Sequence, residues 1–544
     1  MALERPTGWL DAPVQGREVE GPAISVSGWV VFPDARVDFV EVFLDGERVG
    51  LASWGDNRAD VLQIFPDEGV NALTSGFHAV VPVPISLVDV EYRVHVRATS
   101  YNGGVWEPAA ADFVVSGVKE KDLSSSAFAS QLSPIQKEPS ARPRWCVFTH
   151  SLNLGGGQLY LQELLVRVVR SGAAEVLLIS PEDGPLRKEL EAEGIGVHIT
   201  AGYAVDPGKY EGGLVELAFL IREWRADVVV LNTLAVFPPA DAALRLGLPV
   251  IWAIHESFSL NLFSFVCWGP GGLAPAVRER WLLALKSAEL VYEADSTLEL
   301  HRRDIPSAHA HKIPYGVDLD AIDAYISTHD RATLRERLGY SADERVLLCV
   351  GTLEDRKAQI PLLRAFVEAS VGETRSRMVF VGGNDRPYAR ALKDSMKLLD
   401  AEDRVDIIDI DPDVYQWYLV ADVLVSASDI ESMPRSFLEA QAFGLPILAA
   451  DVFGVSEVVH DGVNGWLFRP KVASAMVAAV GRVLATPDAD LQRLSACARE
   501  CSAHYSGIGY AQAYVGLVSQ LLARATGGHK GRNGKIENVE TING

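Results

Sequence analysis

The chain has 544 residues, of which 48% are hydrophobic and 22% are charged, and its formal net charge is −22. This length exceeds the usual size of one domain, so we expect about three or four domains. The strong negative charge excludes the broad basic surface that binds nucleic acid, although a local basic pocket for a phosphate stays open.

The sequence carries few signals for cellular targeting or for the redox state of its cysteines. The five cysteines are scattered without the spacing of a metal site or a disulfide framework. The first residues lack a basic region followed by an apolar run, so we expect no signal peptide. The most apolar window, residues 251–268, is interrupted by His255, Glu256 and Asn261 and is too short to span a bilayer. These features predict a cytoplasmic chain with no transmembrane segment.

The first part of the chain is predicted to be all β. Short alternating apolar runs between residues 22 and 115, with a hairpin turn at Asp45-Gly46, predict an antiparallel sandwich of roughly seven strands. "VEVFLDGERVG" and "GFHAVV" resemble the immunoglobulin-like modules appended to carbohydrate enzymes of bacteria and phages. We assign residues 1–118 to this accessory domain. Its aromatic residues Trp54, Tyr101 and Trp106 could stack on sugars, but packing between strands is the favoured interpretation.

A linker and two α/β domains follow. Residues 119–143 are rich in Ser, Lys, Glu and Pro, which is typical of a linker. Apolar strands then alternate with amphipathic helices in two series, which predicts two doubly wound, Rossmann-like domains at residues 144–316 and 317–500. The carboxyl ends of their strands should face a common cleft, where ligands of such folds bind. We expect a carboxy-terminal helix at residues 501–526 and a flexible tail at 527–544.

Two segments carry groups suited to phosphate. "THSLNLGGGQLYLQELL" places Gly156 and Gly157 where a strand passes into a helix, and backbone amides at a helix start attract anions. The segment lacks dinucleotide-binding and P-loop spacings, so a simple tight turn is an equal alternative. In "VGTLEDRKAQI", Arg356 and Lys357 follow a strand and could stabilise a departing diphosphate; a solvated basic pair is the alternative.

Three further candidates follow strands at the predicted cleft. In "PVIWAIHESFS", His255 could donate a hydrogen bond to a substrate, or could simply cap the strand. In "DIESMPRSFLEAQAFGLP", Glu431 should face the start of a helix, and Glu439 should lie on a half-buried flank where an unpaired charge is costly. The hydroxyls of a polyol would satisfy Glu439; a solvated helix start and a surface carboxylate are the alternatives.

These motifs carry a family resemblance. "ESMPRSFLEAQAFGLPILA", with its E-x-x-x-x-x-x-x-E spacing, and "GVSEVVHDGVNGWLF" resemble the donor-site signature of retaining family 4 glycosyltransferases of the GT-B fold. The Gly-rich loop, "HE", "IPYGVD" and "GTLEDRK" fall in the family's order. The resemblance runs from about residue 144 to the last helix and implies a GT-B architecture of two Rossmann-like domains behind the β-sandwich.

The resemblance also implies an activity and a site. It implies a metal-independent hexosyltransferase that moves a sugar from a nucleotide diphosphate sugar, with UDP- and GDP-sugars favoured, to a hydroxyl of a glycan, protein or lipid, with retention at the anomeric carbon. No cofactor is implied, and a homo-oligomer stays open. His255, Lys357 and Glu431 would act in catalysis. The donor would be bound by Gly156, Gly157, Arg356, Lys357, Glu431, Met433, Pro434, Arg435, Ser436 and Glu439.

The chain also departs from the family pattern. Thr352 stands where Arg is common, so Arg356 would have to replace a missing cation. Tyr315 stands where Asn is common, and Ala358 where Gly is common. These departures keep an alternative open, in which the chain is a weak or inactive GT-B scaffold that binds glycans. "DIDPD" at residues 409–413 would suit a metal ion, but a connection from a strand to a helix is favoured, and we predict no metal site.

Overall fold

The structure is a computed structural model that describes residues 3, 5–19, 21–33, 35–83, 86, 88–117, 132–135, 142–306, 309–372 and 375–530. These ranges form sheets of nine, seven and six strands. Most of the predicted linker and most of the predicted tail lie outside the described residues.

The first sheet forms what we call the β module (residues 7–115). Its strand order is β1-β3-β6-β5-β4-β7-β9-β2, with β8 beside β7. Its strands are β1 (Thr7–Ala12), β2 (Glu18–Val19), β3 (Ala23–Val31), β4 (Val37–Leu44), β5 (Glu47–Asp56), β6 (Gly76–Pro82), β7 (Val90–Ser100), β8 (Val105–Trp106) and β9 (Ala111–Val115). Two short helices, α1 (Ala59–Ile64) and α2 (Val70–Leu73), lie between β5 and β6.

Strand β5 joins the two halves of the β module. It pairs with β4 through residues 47–52 and with β6 through residues 53–56, and one apolar cluster is shared by strands of both halves. Asp45 and Gly46 both have positive φ, 50° and 83°, as the tight hairpin turn before β5 requires. The sequence predicted about seven strands because β2 and β8, with two residues each, are too short to show alternation.

The second sheet is fully parallel, with the order β12-β11-β10-β13-β14-β15-β16. Its elements are β10 (Arg144–Phe148), α3 (Gly156–Arg170), β11 (Glu175–Ser180), α4 (Leu186–Ala192), β12 (Gly196–Ile199), α5 (Pro207–Glu223), β13 (Val228–Asn232), α6 (Pro238–Arg245), β14 (Val250–Ile254), α7 (Leu260–Trp268), α8 (Pro275–Ser287), β15 (Glu289–Tyr292), α9 (Asp295–Asp304) and β16 (Ala310–Lys312).

The third sheet is also parallel, with the order β19-β18-β17-β20-β21-β22. Its elements are α10 (Leu319–Thr328), α11 (Arg331–Leu338), β17 (Arg345–Val350), α12 (Gln359–Ala369), β18 (Ser376–Gly383), α13 (Pro387–Leu398), β19 (Val405–Asp409), α14 (Tyr415–Val420), β20 (Val423–Ser426), α15 (Arg435–Ala442), β21 (Ile447–Ala450), α16 (Val455–Val458), β22 (Gly465–Phe468), α17 (Ala473–Leu484), α18 (Asp488–Ser502) and α19 (Gly507–Lys530).

The two parallel sheets are buried on both faces, as strand-helix repetition predicts. Every residue of β13 and of β14 is buried, and both strands are apolar except for Asn232 at the end of β13. The predicted pair of doubly wound domains is therefore confirmed. In each sheet the strand order reverses beside its first strand, between β10 and β13 in one and between β17 and β20 in the other. Ligands of such sheets bind at these points of reversal.

The last helix returns to the first α/β domain. Helix α19 packs against α3, and the hydroxyl groups of Tyr514 and Tyr160 are 2.7 Å apart. The helix runs to Lys530, so residues 527–530 are helical where the sequence predicted the start of a flexible tail. Among the described helices, none combines the length and the apolar character needed to cross a membrane.

The β module contacts both α/β domains. Strands β3 and β6 contact α7, whereas β4 contacts α17 and β5 contacts α12. Ala473 of α17 belongs to the apolar core of the β module. The Trp54 side chain is buried, and its indole N–H donates to the Lys471 carbonyl at 3.3 Å. Trp54 is therefore unavailable for stacking on a sugar.

Candidate active site

A cavity of about 820 Å³ lies where the carboxyl ends of the two parallel sheets face each other. It is lined by the loops that follow β10, β17 and β20, which are strands at the two points where the strand order reverses. The predicted site residues that line it are Gly156, Gly157, His255, Arg356, Lys357, Glu431, Met433, Pro434, Arg435, Ser436 and Glu439. The fold thus brings together residues that are nearly 300 positions apart in the sequence.

The glycine loop lines one wall at the start of α3. The helix begins at Gly156, and no side chain caps its first amides. A methyl group added at Gly156 would meet no atom within 4 Å, and one at Gly157 would make only ordinary contacts, the nearest at 3.5 Å from His255. Packing within the described protein therefore does not require glycine at either position, whereas a ligand close to the helix start would.

His255 is held by hydrogen bonds on both ring nitrogens. Nδ1 lies 2.8 Å from the Glu293 carboxylate, and Nε2 lies 2.7 Å from Oδ1 of Asn232. The Asn232 amide nitrogen donates to the Gly157 carbonyl at 3.0 Å, which leaves its oxygen facing the ring. Burial lowers the pKa of His255, but the Glu293 and Glu256 carboxylates outweigh burial and raise it above its ordinary value. The residue is therefore suited to act as a fixed cation.

Lys357 and Glu431 form an ion pair at the cavity wall formed by the second α/β domain. The Lys357 ammonium donates to the Glu431 carboxylate, and Arg356 Nη1 lies 3.8 Å from the same oxygen. Burial raises the pKa of Glu431, but Lys357 and Arg356 lower it below its ordinary value. Arg356 also donates to the Ile430 carbonyl at 3.3 Å. Two cations and one carboxylate therefore meet at one point of the cavity wall.

The three residues that depart from the family pattern have different surroundings. Thr352 lies at the cavity wall and is exposed. Ala358 follows the helical turn Asp355–Lys357 and has a φ of 52°, in the left-handed region that glycine adopts without strain. Tyr315 accepts a hydrogen bond from Arg435 at 2.6 Å, and its ring lies 5.1 Å from that of Tyr160.

Glu439 is buried and paired, whereas the sequence predicted a carboxylate awaiting hydroxyl groups. Its Oε1 accepts from Arg435 Nε at 2.7 Å, and its Oε2 accepts from the Tyr418 hydroxyl at 3.0 Å. Arg435 also donates to Glu163 at 3.0 Å. The Arg435 side chain is thus held among two carboxylates and a phenol. Because a carboxylate offers about four lone pairs, Glu439 can accept further hydrogen bonds from a ligand.

Sequence reasoning missed several residues of the wall. The missed residues lie either at the end of a parallel strand or just after it (Asn232, Glu256 and Glu293) or in helix α14 on the same edge (Tyr415 and Tyr418). Glu256, Glu293, Tyr415 and Tyr418 line the cavity, and Asn232 supports His255 behind it. Asn232 and Glu293 could have been found from their strands, since each polar residue ends or follows a fully apolar run.

Neither the acidic segment nor any other cluster forms a metal site within the described residues. Asp411 accepts from the indole of Trp417 at 2.7 Å and from Gln416 at 2.8 Å, and the Tyr325 hydroxyl donates to Asp413 at 3.0 Å. The segment connects β19 to α14, as the sequence favoured, and Tyr325 joins it to α10.

Comparisons with known proteins agree with this geometry. Residues 330–500 match the family model described as Glycosyl transferases group 1, and residues 155–316 match the Glycosyl transferase 4-like domain. A D-inositol 3-phosphate glycosyltransferase of Thermobispora bispora is 32% identical over 249 residues, which cover 44% of this chain and 56% of the relative. The chain therefore spans little more than half the length of this relative.

Solved structures share the architecture. The Anabaena protein HepE in complex with UDP matches with a TM-score of 0.59 and 19% identity over 69% of this chain and 100% of that chain. Its complex with UDP-glucose matches with a TM-score of 0.57 and 20% identity over 71% of this chain and 99% of that chain. The α/β region of this chain has the GT-B fold.

Proposed function

We propose that this chain, whose α/β region is built from a glycosyl transferase 4-like domain and a group 1 glycosyl transferase domain, transfers a sugar from a nucleotide diphosphate sugar to an acceptor hydroxyl. The observation that carries the proposal is the 820 Å³ cavity, because both points of strand reversal open into it and the residues implied by the family resemblance line it.

The donor would lie against the second parallel sheet. Lys357 and Arg356 would bind the diphosphate, and the amides at the start of α15 would face the same anion. Once Lys357 contacts phosphate, Glu431 is released to accept hydrogen bonds from the donor sugar. Glu439 would bind the ribose hydroxyls through the lone pairs that Arg435 and Tyr418 leave free.

The proposed reaction develops negative charge on the departing diphosphate. The bond between the anomeric carbon and the diphosphate breaks, a bond to the acceptor oxygen forms on the same face, and the acceptor proton passes to the departing phosphate oxygen. Negative charge grows on that oxygen, and Lys357 and Arg356 would stabilise it without a bound metal ion. Retention of configuration follows from attack on the face that the diphosphate leaves.

His255 would border the reacting sugar from the opposite wall. Since Glu293 and Asn232 engage both ring nitrogens, we assign it a positioning and electrostatic role beside the start of α3. This differs from proton transfer, for which a ring nitrogen would have to leave its partner.

The donor is proposed to be a UDP- or GDP-sugar, and the UDP complexes of the structural neighbour favour UDP as the first probe. The acceptor is proposed to be a glycan, a protein or a lipid. The cytoplasmic location stays a prediction.

Thermal unfolding with UDP-, GDP-, ADP- and TDP-sugars would test the proposal, together with release of the free nucleotide in the presence of candidate acceptors. A ligand at about 100 times its Kd stabilises by roughly 2.7 kcal/mol, which such a scan detects. Lys357→Ala should remove the shift, and Lys397→Ala, at an exposed lysine of α13, should keep it. Absence of both a shift and nucleotide release across the panel would contradict the proposal. The anomeric configuration of the product, read by NMR, tests retention.

A further inference from the structure

Strand β5 of the β module reaches the donor side of the cavity from behind. The Ser53 hydroxyl donates to the carboxylate of Asp429, which lies in the loop between β20 and α15. Lys471 Nζ lies 3.9 Å from the same carboxylate and donates to the Leu51 carbonyl of β5 at 3.4 Å. A residue of the β module is therefore in direct contact with the loop that carries Glu431.

Asp429 links the two donor-side loops to each other. Its backbone N–H donates to the Arg356 carbonyl at 2.8 Å. Two residues further along, Glu431 pairs with Lys357, the neighbour of Arg356. A displacement of Asp429 would therefore also displace the loop that carries Arg356 and Lys357 and the loop that carries Glu431.

The contact with β5 leaves little free space. The space enclosed between β5, the loops and α12 is about 10 Å³, at the lower limit for a single water molecule. Gly55 has a φ of 100°, and a methyl group there would lie 3.1 Å from the Pro361 ring of α12. Burial raises the pKa of Asp429, although Lys471 and the Ser53 hydrogen bond oppose it. Water therefore has little room to replace the Ser53 hydroxyl.

We infer that Ser53 is a positioning residue of the donor site, through which the β module fixes the loops that carry Arg356, Lys357 and Glu431. The expected effect on nucleotide affinity and on the KM for the donor rests on the proposed function. The expected loss of order in the two loops when the Ser53 hydroxyl is removed is independent of the proposed function.

The test compares three variants of the full chain. Ser53→Ala removes the hydroxyl, and Ser53→Thr restores one. Ser474→Ala is the matched control, since the Ser474 hydroxyl donates to the Asp38 carboxylate at 3.0 Å and joins the β module to α17. Hydrogen exchange followed by mass spectrometry would report on peptides spanning residues 351–358 and 427–434.

Exchange at both peptides should rise about fivefold or more in Ser53→Ala, with the Asp429 amide among the affected sites, and should return toward the wild-type rate in Ser53→Thr. The control should leave both peptides unchanged. Equal exchange in Ser53→Ala and Ser474→Ala would overturn the inference, as would faster exchange spread evenly over the chain.

Nucleotide affinity provides the second readout, with UDP as the first probe. Ser53→Ala should raise the Kd of the bound nucleotide and the KM for the donor about tenfold, a change of 1.4 kcal/mol, and should leave the KM for the acceptor unchanged. An unaltered nucleotide Kd beside faster exchange would overturn the positioning role. If the wild-type chain binds no nucleotide, the proposed function fails, and hydrogen exchange alone decides the inference.

Discussion

The ion pair between Lys357 and Glu431 allows a quantitative test of the geometry of the cavity wall. Both side chains are largely buried, with 20% and 11% of their surfaces exposed. Removing one partner of a buried pair costs about 3–5 kcal/mol when the other charge is left alone. In Lys357→Met, Arg356 still lies 3.8 Å from the Glu431 carboxylate, so we expect the lower limit, about 3 kcal/mol.

Glu431→Gln should cost less. The Lys357 ammonium lies at the cavity wall and can turn toward water, so we expect a loss of about 1–2 kcal/mol. The double variant leaves no unpaired charge and should be no worse than Lys357→Met, which gives a coupling energy of at least about 1–2 kcal/mol. The free energy of unfolding is measured by pulse proteolysis in urea at neutral pH.

The pair Lys312–Glu457 serves as the control. Its atoms are 2.7 Å apart, but its side chains are 33% and 22% exposed, so its coupling should be about 1 kcal/mol or less. Because the pKa of Glu431 is lowered in the fold, its contribution is present above its ordinary pKa of 4.5 and is lost as pH falls through the lowered value. Additive single substitutions at Lys357 and Glu431, or a coupling that does not decline in acid, would refute the reasoning.

Three further predictions concern single residues in the cavity wall or beside it. Thr352→Arg adds a cation at the wall and should lower the nucleotide Kd about fivefold in low salt and less in high salt, as measured by isothermal titration calorimetry. Ala358→Gly should raise the free energy of unfolding by about 0.5–1 kcal/mol, since glycine removes the strain of a φ of 52°; a loss of stability in urea would contradict this. The raised pKa of His255 means that its protonation stabilises the fold below about pH 6.5 and that this contribution is lost as pH rises through the raised value. His255→Gln should therefore reduce the decline of unfolding free energy above pH 6.5, and an unchanged pH profile would count against the Glu293 contact.

Much of the fold was predictable because its signals are local. Alternation of apolar runs and amphipathic helices defined both parallel sheets, and the ends of apolar strands located His255, Lys357 and Glu431. The short elements of the β module were missed because two residues cannot show a period. The contact between Arg435 and Glu439 is also local, since residues four positions apart on a helix are neighbours on its surface.

The remaining features of the site depend on contacts between distant segments. From the sequence, Tyr315 is an unexplained departure from the family pattern. In the structure, Arg435, which lies 120 positions later in the chain, donates to the Tyr315 hydroxyl. For Trp54 the sequence favoured packing between strands over stacking on a sugar, but nothing in its neighbourhood shows that Lys471 will cover it. Contacts of this kind form only when complete domains pack against each other. No short sequence pattern predicts which surfaces of the domains will meet.

The β module's contacts with both α/β domains also bear on domain motion. Two α/β domains that face a common cleft can separate by a hinge motion about the segment that joins them. Here the β module contacts α7 of the first α/β domain, and it also contacts α12 and α17 of the second. Arg364 of α12 donates to Thr74 and Asn71, and Ser474 of α17 donates to Asp38. The β module should therefore move together with the second α/β domain, and wide opening of the cleft would require the β module to separate from α7. Access to the cavity would then depend on a surface outside the two α/β domains that form it.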